Sequence, residues 1–149
     1  MEQNMIDIKT LRGKTIGVDT MVFIYLFEKD PRFFPKVELL FSLAEKEECT
    51  LITSTISIIE SLSVHSLEER PQAKDEIEHF FRECTGLRVY SVDGIVAEEA
   101  ARIRRKFSSL RTPDALQLAV AQLHSADVFI TNDEKILRLP SFPLTRISL

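Results

Sequence analysis

The chain has 149 residues, a formal net charge of −4, 44% hydrophobic and 28% charged residues. A chain of this length buries roughly 70% of its unfolded surface, so it needs neither disulfides nor a structural metal, and its composition excludes a disordered polypeptide. The longest apolar run, Met21 to Phe27, is far short of the ~20 residues of a membrane span. The first residues carry acids where a secretory leader would be basic and then apolar, which points to a soluble, cytoplasmic protein with Cys49 and Cys84 as reduced thiols.

In chain order, residues Met1 to Lys14 read as an N-terminal extension (strand, arm or disorder) ahead of a single domain that runs to Leu149. Thr15 to Asp19 is predicted as a short buried strand ending in a carboxylate, and Met21 to Glu28 as a helix that stops before Pro31. Apolar Val37, Leu40, Phe41 and Ala44 give Phe34 to Glu47 the spacing of an amphipathic helix. Thr50 to Thr53 reads as a second strand, with Ser54 or Thr55 placed to cap the helix after it. Pro71 opens a helix to about Glu83, and Leu87 to Tyr90 reads as a third strand.

Val96, Ala100, Ile103 and Phe107 stripe a helix from about Gly94 to Ser108. Thr112-Pro113-Asp114 is a compact helix start, with the Thr112 hydroxyl as cap and an acid near the positive end of the dipole. The helix it opens, to Leu123, is apolar on nearly every side and should be buried. Val128 to Ile130 and Leu144 to Ile147 complete five short β-rich runs. Such runs alternating with helices predict an α/β fold, a parallel sheet covered on both faces. Its crevice should lie outside the carboxyl ends of the strands.

Four acids are expected at that rim: Asp19 after the first strand, Glu60 in the helix after the second, Asp114 at a helix start, and Asp133 after the fourth strand. Singly, each has a plain structural reading: Asp19 and Asp133 can cap helices, and Asp114 suits a helix N-terminus. Glu60, in Ile-Ile-Glu-Ser-Leu, borders an apolar face and should cost stability unless paired. Jointly, converging carboxylates repel unless a cation neutralises them, and an all-oxygen donor set selects a hard ion, Mg²⁺ or Mn²⁺. Such a site suits phosphodiester hydrolysis, in which the ion polarises the phosphate and activates water. Arg102, Arg104, Arg105, Lys106 and Arg111 form a strip without acids just before Asp114; it is placed to grip a nucleic-acid backbone, or else is a solvated helix face.

Val18-Asp19-Thr20, Ser57-Ile58-Ile59-Glu60, Pro113-Asp114-Ala115-Leu116-Gln117-Leu118-Ala119 and Thr131-Asn132-Asp133, with acids 41, 54 and 19 residues apart, resemble in order the four acidic motifs of the PIN domain. The resemblance covers Thr15 to the C-terminus. It implies a three-layer αβα fold with a central parallel sheet in order 3-2-1-4-5, and a metal-dependent ribonuclease. At this size the chain is similar to the toxin subunit of VapBC toxin–antitoxin pairs. Carried over by position, Asp19, Glu60, Asp114 and Asp133 would hold Mg²⁺ or Mn²⁺, Thr131 would support them, and Thr20 would orient the Asp19 loop. RNA as substrate, a homodimer and a cognate antitoxin are implied likewise, with no membrane partner. The alternative is a non-catalytic PIN-like module that binds RNA or protein. The chain departs from the family at Met21, where a small polar residue is frequent.

Other readings are weaker. Gly13-Lys14-Thr15 precedes its strand and cannot cradle a phosphate as a P-loop does. His65, His79 and His124 lack zinc-site spacing. A phosphoryl-transfer site with Asp19 as nucleophile lacks a second Asp two places on, where Met21 stands, and Asp93 is more simply a helix cap.

Overall fold

The computed structural model describes residues 7–149. Five parallel strands, β1 (Thr15–Val18), β2 (Thr50–Ser54), β3 (Leu87–Tyr90), β4 (Val128–Ile130) and β5 (Thr145–Ile147), form one sheet in the order β3-β2-β1-β4-β5. The helices are α1 (Thr20–Phe27), α2 (Phe34–Glu45), α3 (Thr55–Leu62), α4 (Pro71–Glu83), α5 (Gly94–Lys106), α6 (Thr112–Leu123) and α7 (Glu134–Leu137).

Side-chain alternation along the strands explains the three layers. Ile16, Val18, Val128 and Ile130 point into one core with Phe23 of α1, Val37, Leu40 and Phe41 of α2, and Phe81 of α4. Phe129 points the other way, into a second core with Ala100 and Ile103 of α5 and Leu118 and Ala121 of α6. Strands covered on both faces are apolar throughout, which is why they read as continuous hydrophobic runs. Helix α3 sits across the sheet end: Ile58 and Leu62 pack against the first core, and Ile56 against the second.

Gly17 lets α6 approach the sheet. A Cβ there would lie 2.8 Å from the Phe129 ring and 2.9 Å from Ala121 Cβ, too close for either to stay in place. With no side chain at that point, α6 lies against β1 and its N-terminal turn is brought to the strand ends.

The predicted strands and main helices are present, with α2 and α5 ending two residues earlier than the apolar stripes indicate. Two 3₁₀ turns carry no periodic signal. One, Ile8–Leu11, begins after the Asp7 carboxylate accepts the Lys9 N–H and docks Ile8 and Leu11 in the first core. Residues 8–11 of the extension are thus neither strand nor free arm, while residues 1–6 lie outside the described residues. The other, His65–Glu69, buries Leu67 between α3 and α4.

Thr112 is not the cap of α6. Its hydroxyl accepts from Arg104 Nη1 at 3.1 Å, and the N-cap position falls on Arg111, whose backbone N–H is taken by Asp114. No described helix is long and apolar enough to cross a membrane, and both cysteines are free.

Candidate active site

The sheet order reverses at β1: the chain goes to β2 on one side and returns to β4 on the other. Chains diverge there, and this switch point beyond the carboxyl ends of the two strands is where open α/β sheets bind their ligands. Asp19 follows β1, and Thr131-Asn132-Asp133 follows β4. The last pairing runs past the strands, since Asp19 N–H donates to the Ile130 carbonyl at 3.0 Å. Parallel pairing therefore fixes the height at which Asp19 and Thr131 face each other.

Both Asp19 oxygens are held. Oδ1 accepts the Thr20 N–H at 2.8 Å, which also makes Asp19 the N-cap of α1, and Oδ2 accepts the Thr131 hydroxyl at 2.7 Å. Burial pushes the Asp19 carboxyl up to about 6, against the lowering effect of these two bonds, and the charges of Asp114 and Glu60 push it the same way. Asp19 is thus a desolvated acid that senses two other acids from distant parts of the chain.

Asp114, in the first turn of α6, is only 8% exposed. Its Oδ2 accepts the Arg111 N–H at 3.1 Å and lies 4.0 Å from Arg111 Nε. The helix N-terminus favours its negative charge. Glu60 differs from expectation: it faces solvent rather than the apolar side of α3. Its pairing comes from Thr20, whose hydroxyl donates to Oε1 at 2.8 Å. Thr20 thus holds Asp19 with its backbone and Glu60 with its side chain.

Asp133 stands one step away. Its N–H donates to Thr131 Oγ1 at 3.0 Å, tying it to the site through the backbone, while its carboxylate caps α7 by accepting the Lys135 N–H at 2.9 Å. Thr131, fully buried, links Asp19 and Asp133.

The basic strip divides. Arg102 is paired with Glu99, Arg104 donates to the Leu110 carbonyl and to Thr112, and Arg111 lies near Asp114. Arg105 and Lys106 are exposed, with the Lys106 ammonium 5.6 Å from the Phe107 ring centre.

Below the acids lies a group of buried polar side chains, Thr20, Thr53, Ser54, Ser57 and Gln117. Sequence reading assigns no role to Thr53, Ser54 beyond its cap, Ser57 or Gln117. The available signal is a glutamine flanked by apolar residues in the middle of α6, together with four hydroxyls in the Thr53 to Ser57 segment.

The donors Asp19, Glu60 and Asp114 are all carboxylates, and the Asp19 carboxyl is raised chiefly by burial and to a lesser extent by the charges of Asp114 and Glu60. Both suit a hard divalent cation. As they stand the carboxylates are not drawn round a point: among the described residues no three His, Cys, Asp or Glu side chains are close enough together to hold an ion.

Comparison with known proteins gives matches of sequence profile and of fold. The PIN-domain family profile matches residues 16–141. No curated protein sequence matches. Among solved structures, VapBC2 from Rickettsia felis bound to a promoter DNA fragment is similar over 90% of this chain and 98% of that one, with 20% identity and a TM-score of 0.63. VapC20 of Mycobacterium tuberculosis, a toxin that cleaves the sarcin–ricin loop, matches over 86% and 98% with 15% identity and a TM-score of 0.65. FitAcB from Neisseria gonorrhoeae matches over 89% and 96% with 18% identity and a TM-score of 0.62. At these identities the likeness is one of fold, and all three span nearly the whole chain.

Proposed function

Because this chain belongs to the PIN-domain family, we propose that it is a divalent-metal-dependent endoribonuclease, acting in the cytoplasm as the toxin of a toxin–antitoxin pair. The observation that carries this reading is the desolvated Asp19 carboxylate at the sheet's switch point, raised further by Asp114 and Glu60. That arrangement disfavours its own ionisation, and a bound cation relieves it.

Asp19, Glu60 and Asp114 would hold Mg²⁺ or Mn²⁺, with Asp133 completing the site. The ion, when bound, supplies positive charge for the phosphodiester and activates water as nucleophile. Thr131 keeps Asp19 oriented through its hydroxyl, and the start of α6 holds Asp114 rigidly. Glu60, exposed at the rim, faces the side from which a substrate approaches. Exposed Arg105 and Lys106 would contact the RNA backbone, offsetting the repulsion between acids and phosphates. The fold likeness to VapBC2 supports a cognate antitoxin as partner; a homodimer is part of the same proposal.

One observation favours a rival, a module that binds RNA or protein without turnover: the carboxylates do not enclose an ion as they stand. The two separate in a cleavage assay on total RNA with Mg²⁺, Mn²⁺ or EDTA. The nuclease cuts with either metal, leaves 5′-phosphate ends, stops in EDTA, and loses cleavage in Asp114→Asn while the circular dichroism spectrum is retained. Full activity in EDTA, or 2′,3′-cyclic phosphate ends, overturns the nuclease reading, and metal-insensitive binding without cleavage favours the module.

A further inference from the structure

Gln117 lies on α6 one turn after Asp114, 3% exposed, and the buried residues around it in the helix, Ala115 to Ala121, are otherwise apolar. Its carboxamide is fully engaged. The oxygen accepts the Ser54 hydroxyl at 2.8 Å, and the nitrogen donates to Ser57 Oγ at 2.8 Å and to Thr20 Oγ1 at 3.2 Å. Ser54 sets this orientation: its oxygen already accepts the Ile56 N–H at 3.2 Å, so its one proton needs an acceptor, which the Gln117 oxygen supplies.

The Thr20 hydroxyl has one proton and two neighbours that can receive it, Glu60 Oε1 at 2.8 Å and Ser57 Oγ at 3.0 Å. Gln117 decides between them. Thr53 gives its proton to the Val18 carbonyl at 3.1 Å, so Ser57 donates to Thr53 Oγ1 at 2.8 Å. Gln117 in turn donates to Ser57 and Thr20, which fills the inner side of both hydroxyls and leaves the Thr20 proton directed outward to the Glu60 carboxylate. We propose that Gln117 is a positioning residue: through the Thr20 hydroxyl it holds the exposed Glu60 carboxylate beside Asp19, ready to bind a divalent cation. This rests on the metal-dependent nuclease reading above. Without the amide, the Thr20 proton can turn inward to Ser57, and Glu60 regains the rotamer freedom of a surface glutamate.

Gln117→Met keeps the length of the side chain and removes every polar contact. The test measures Mn²⁺ affinity of metal-free protein by electron paramagnetic resonance for wild type, Gln117→Met, Glu60→Gln and the double variant. Gln117→Met should weaken Mn²⁺ binding by roughly 10- to 100-fold. In the Glu60→Gln background it should cost almost nothing more, because the two act through one bond. Without any metal, the Thr20 hydroxyl proton should be visible by NMR with cross-peaks to the Glu60 γ protons, and should be lost in Gln117→Met.

Equal Mn²⁺ affinity in wild type and Gln117→Met, an undiminished loss in the Glu60→Gln background, or a hydroxyl resonance unchanged by the substitution would each overturn the inference. If Gln117→Met does not fold, Thr20→Val takes its place in the same cycle, with Thr20→Ser expected to restore affinity. Failure of the wild-type protein to bind Mn²⁺ at all would contradict the nuclease reading instead, and the hydroxyl resonance would then judge Gln117 alone.

Discussion

Asp19→Asn should stabilise the metal-free protein at alkaline pH and not at acidic pH. The Asp19 carboxyl titrates near 6 rather than the ordinary 3.8, so the native state holds a proton there that the unfolded chain has already released. Stability from this group is therefore fully present below pH 4, falls as pH rises from 4 to 6, and is absent above. A displacement of about two pKa units corresponds to roughly 3 kcal/mol. Against this, an amide donates where the carboxylate accepted, so one of the bonds from Thr20 N–H or the Thr131 hydroxyl is lost or rearranged, at about 1 kcal/mol.

The net expectation is a gain of about 1–2 kcal/mol for Asp19→Asn at pH 8 in EDTA, and a small loss at pH 4.5. Urea denaturation of both proteins at the two pH values reads this directly, because titrating groups that do not interact with Asp19 cancel in the difference. A substitution equally destabilising at both pH values would show that Asp19 is an ordinary helix cap with no electrostatic burden.

Other outcomes follow from the same geometry. Thr131→Val removes the donor to Asp19 and leaves the Asp133 N–H without its acceptor, so at pH 7 it should cost about 1–3 kcal/mol in urea denaturation, and RNA cleavage should fall with it. Gly17→Ala should cost about 1–3 kcal/mol, read from the denaturation midpoint, since its methyl must displace Phe129 or α6. Saturating Mg²⁺ should raise the melting temperature of the wild type and leave Asp19→Asn nearly unmoved, measured by calorimetry. Replacing Arg105 and Lys106 with alanine should weaken RNA binding and flatten its salt dependence while the melting temperature stays within a degree or two, read by fluorescence titration at several salt concentrations.

The fold was legible because its strands are apolar on both faces and its helices carry stripes or proline starts: Ile16, Val18, Val128 and Ile130 feed one core, and Phe129 the other. Less legible were features with no repeating pattern. The 3₁₀ turns at Ile8–Leu11 and His65–Glu69 hold one or two buried side chains each, too few to form a period. Thr112 is a good capping residue in isolation, but Arg104 engages its hydroxyl from α5, a contact between separate helices that no local pattern contains.

At the candidate site, strand ends place Asp19 directly after β1 and the Thr131-Asn132-Asp133 segment directly after β4, since the residues that follow a parallel strand have few other places to be. Glu60 was expected against apolar neighbours, but the helical turn carries it outward to solvent, and its partner Thr20 lies 40 residues away. The Gln117 network leaves only a weak trace in the sequence for the same reason. Four of its members are ordinary small polar residues, and their meaning arises only when α1, β2, α3 and α6 meet.

Anomalous diffraction from crystals grown with Mn²⁺ reads ion placement at once. The expected map has a peak about 2–2.5 Å from carboxylate oxygens of Asp19 and at least one of Glu60, Asp114 and Asp133, absent in Asp19→Asn. Mn²⁺ bound only at unrelated surface acids, or equally in both proteins, would contradict a catalytic centre built on these carboxylates.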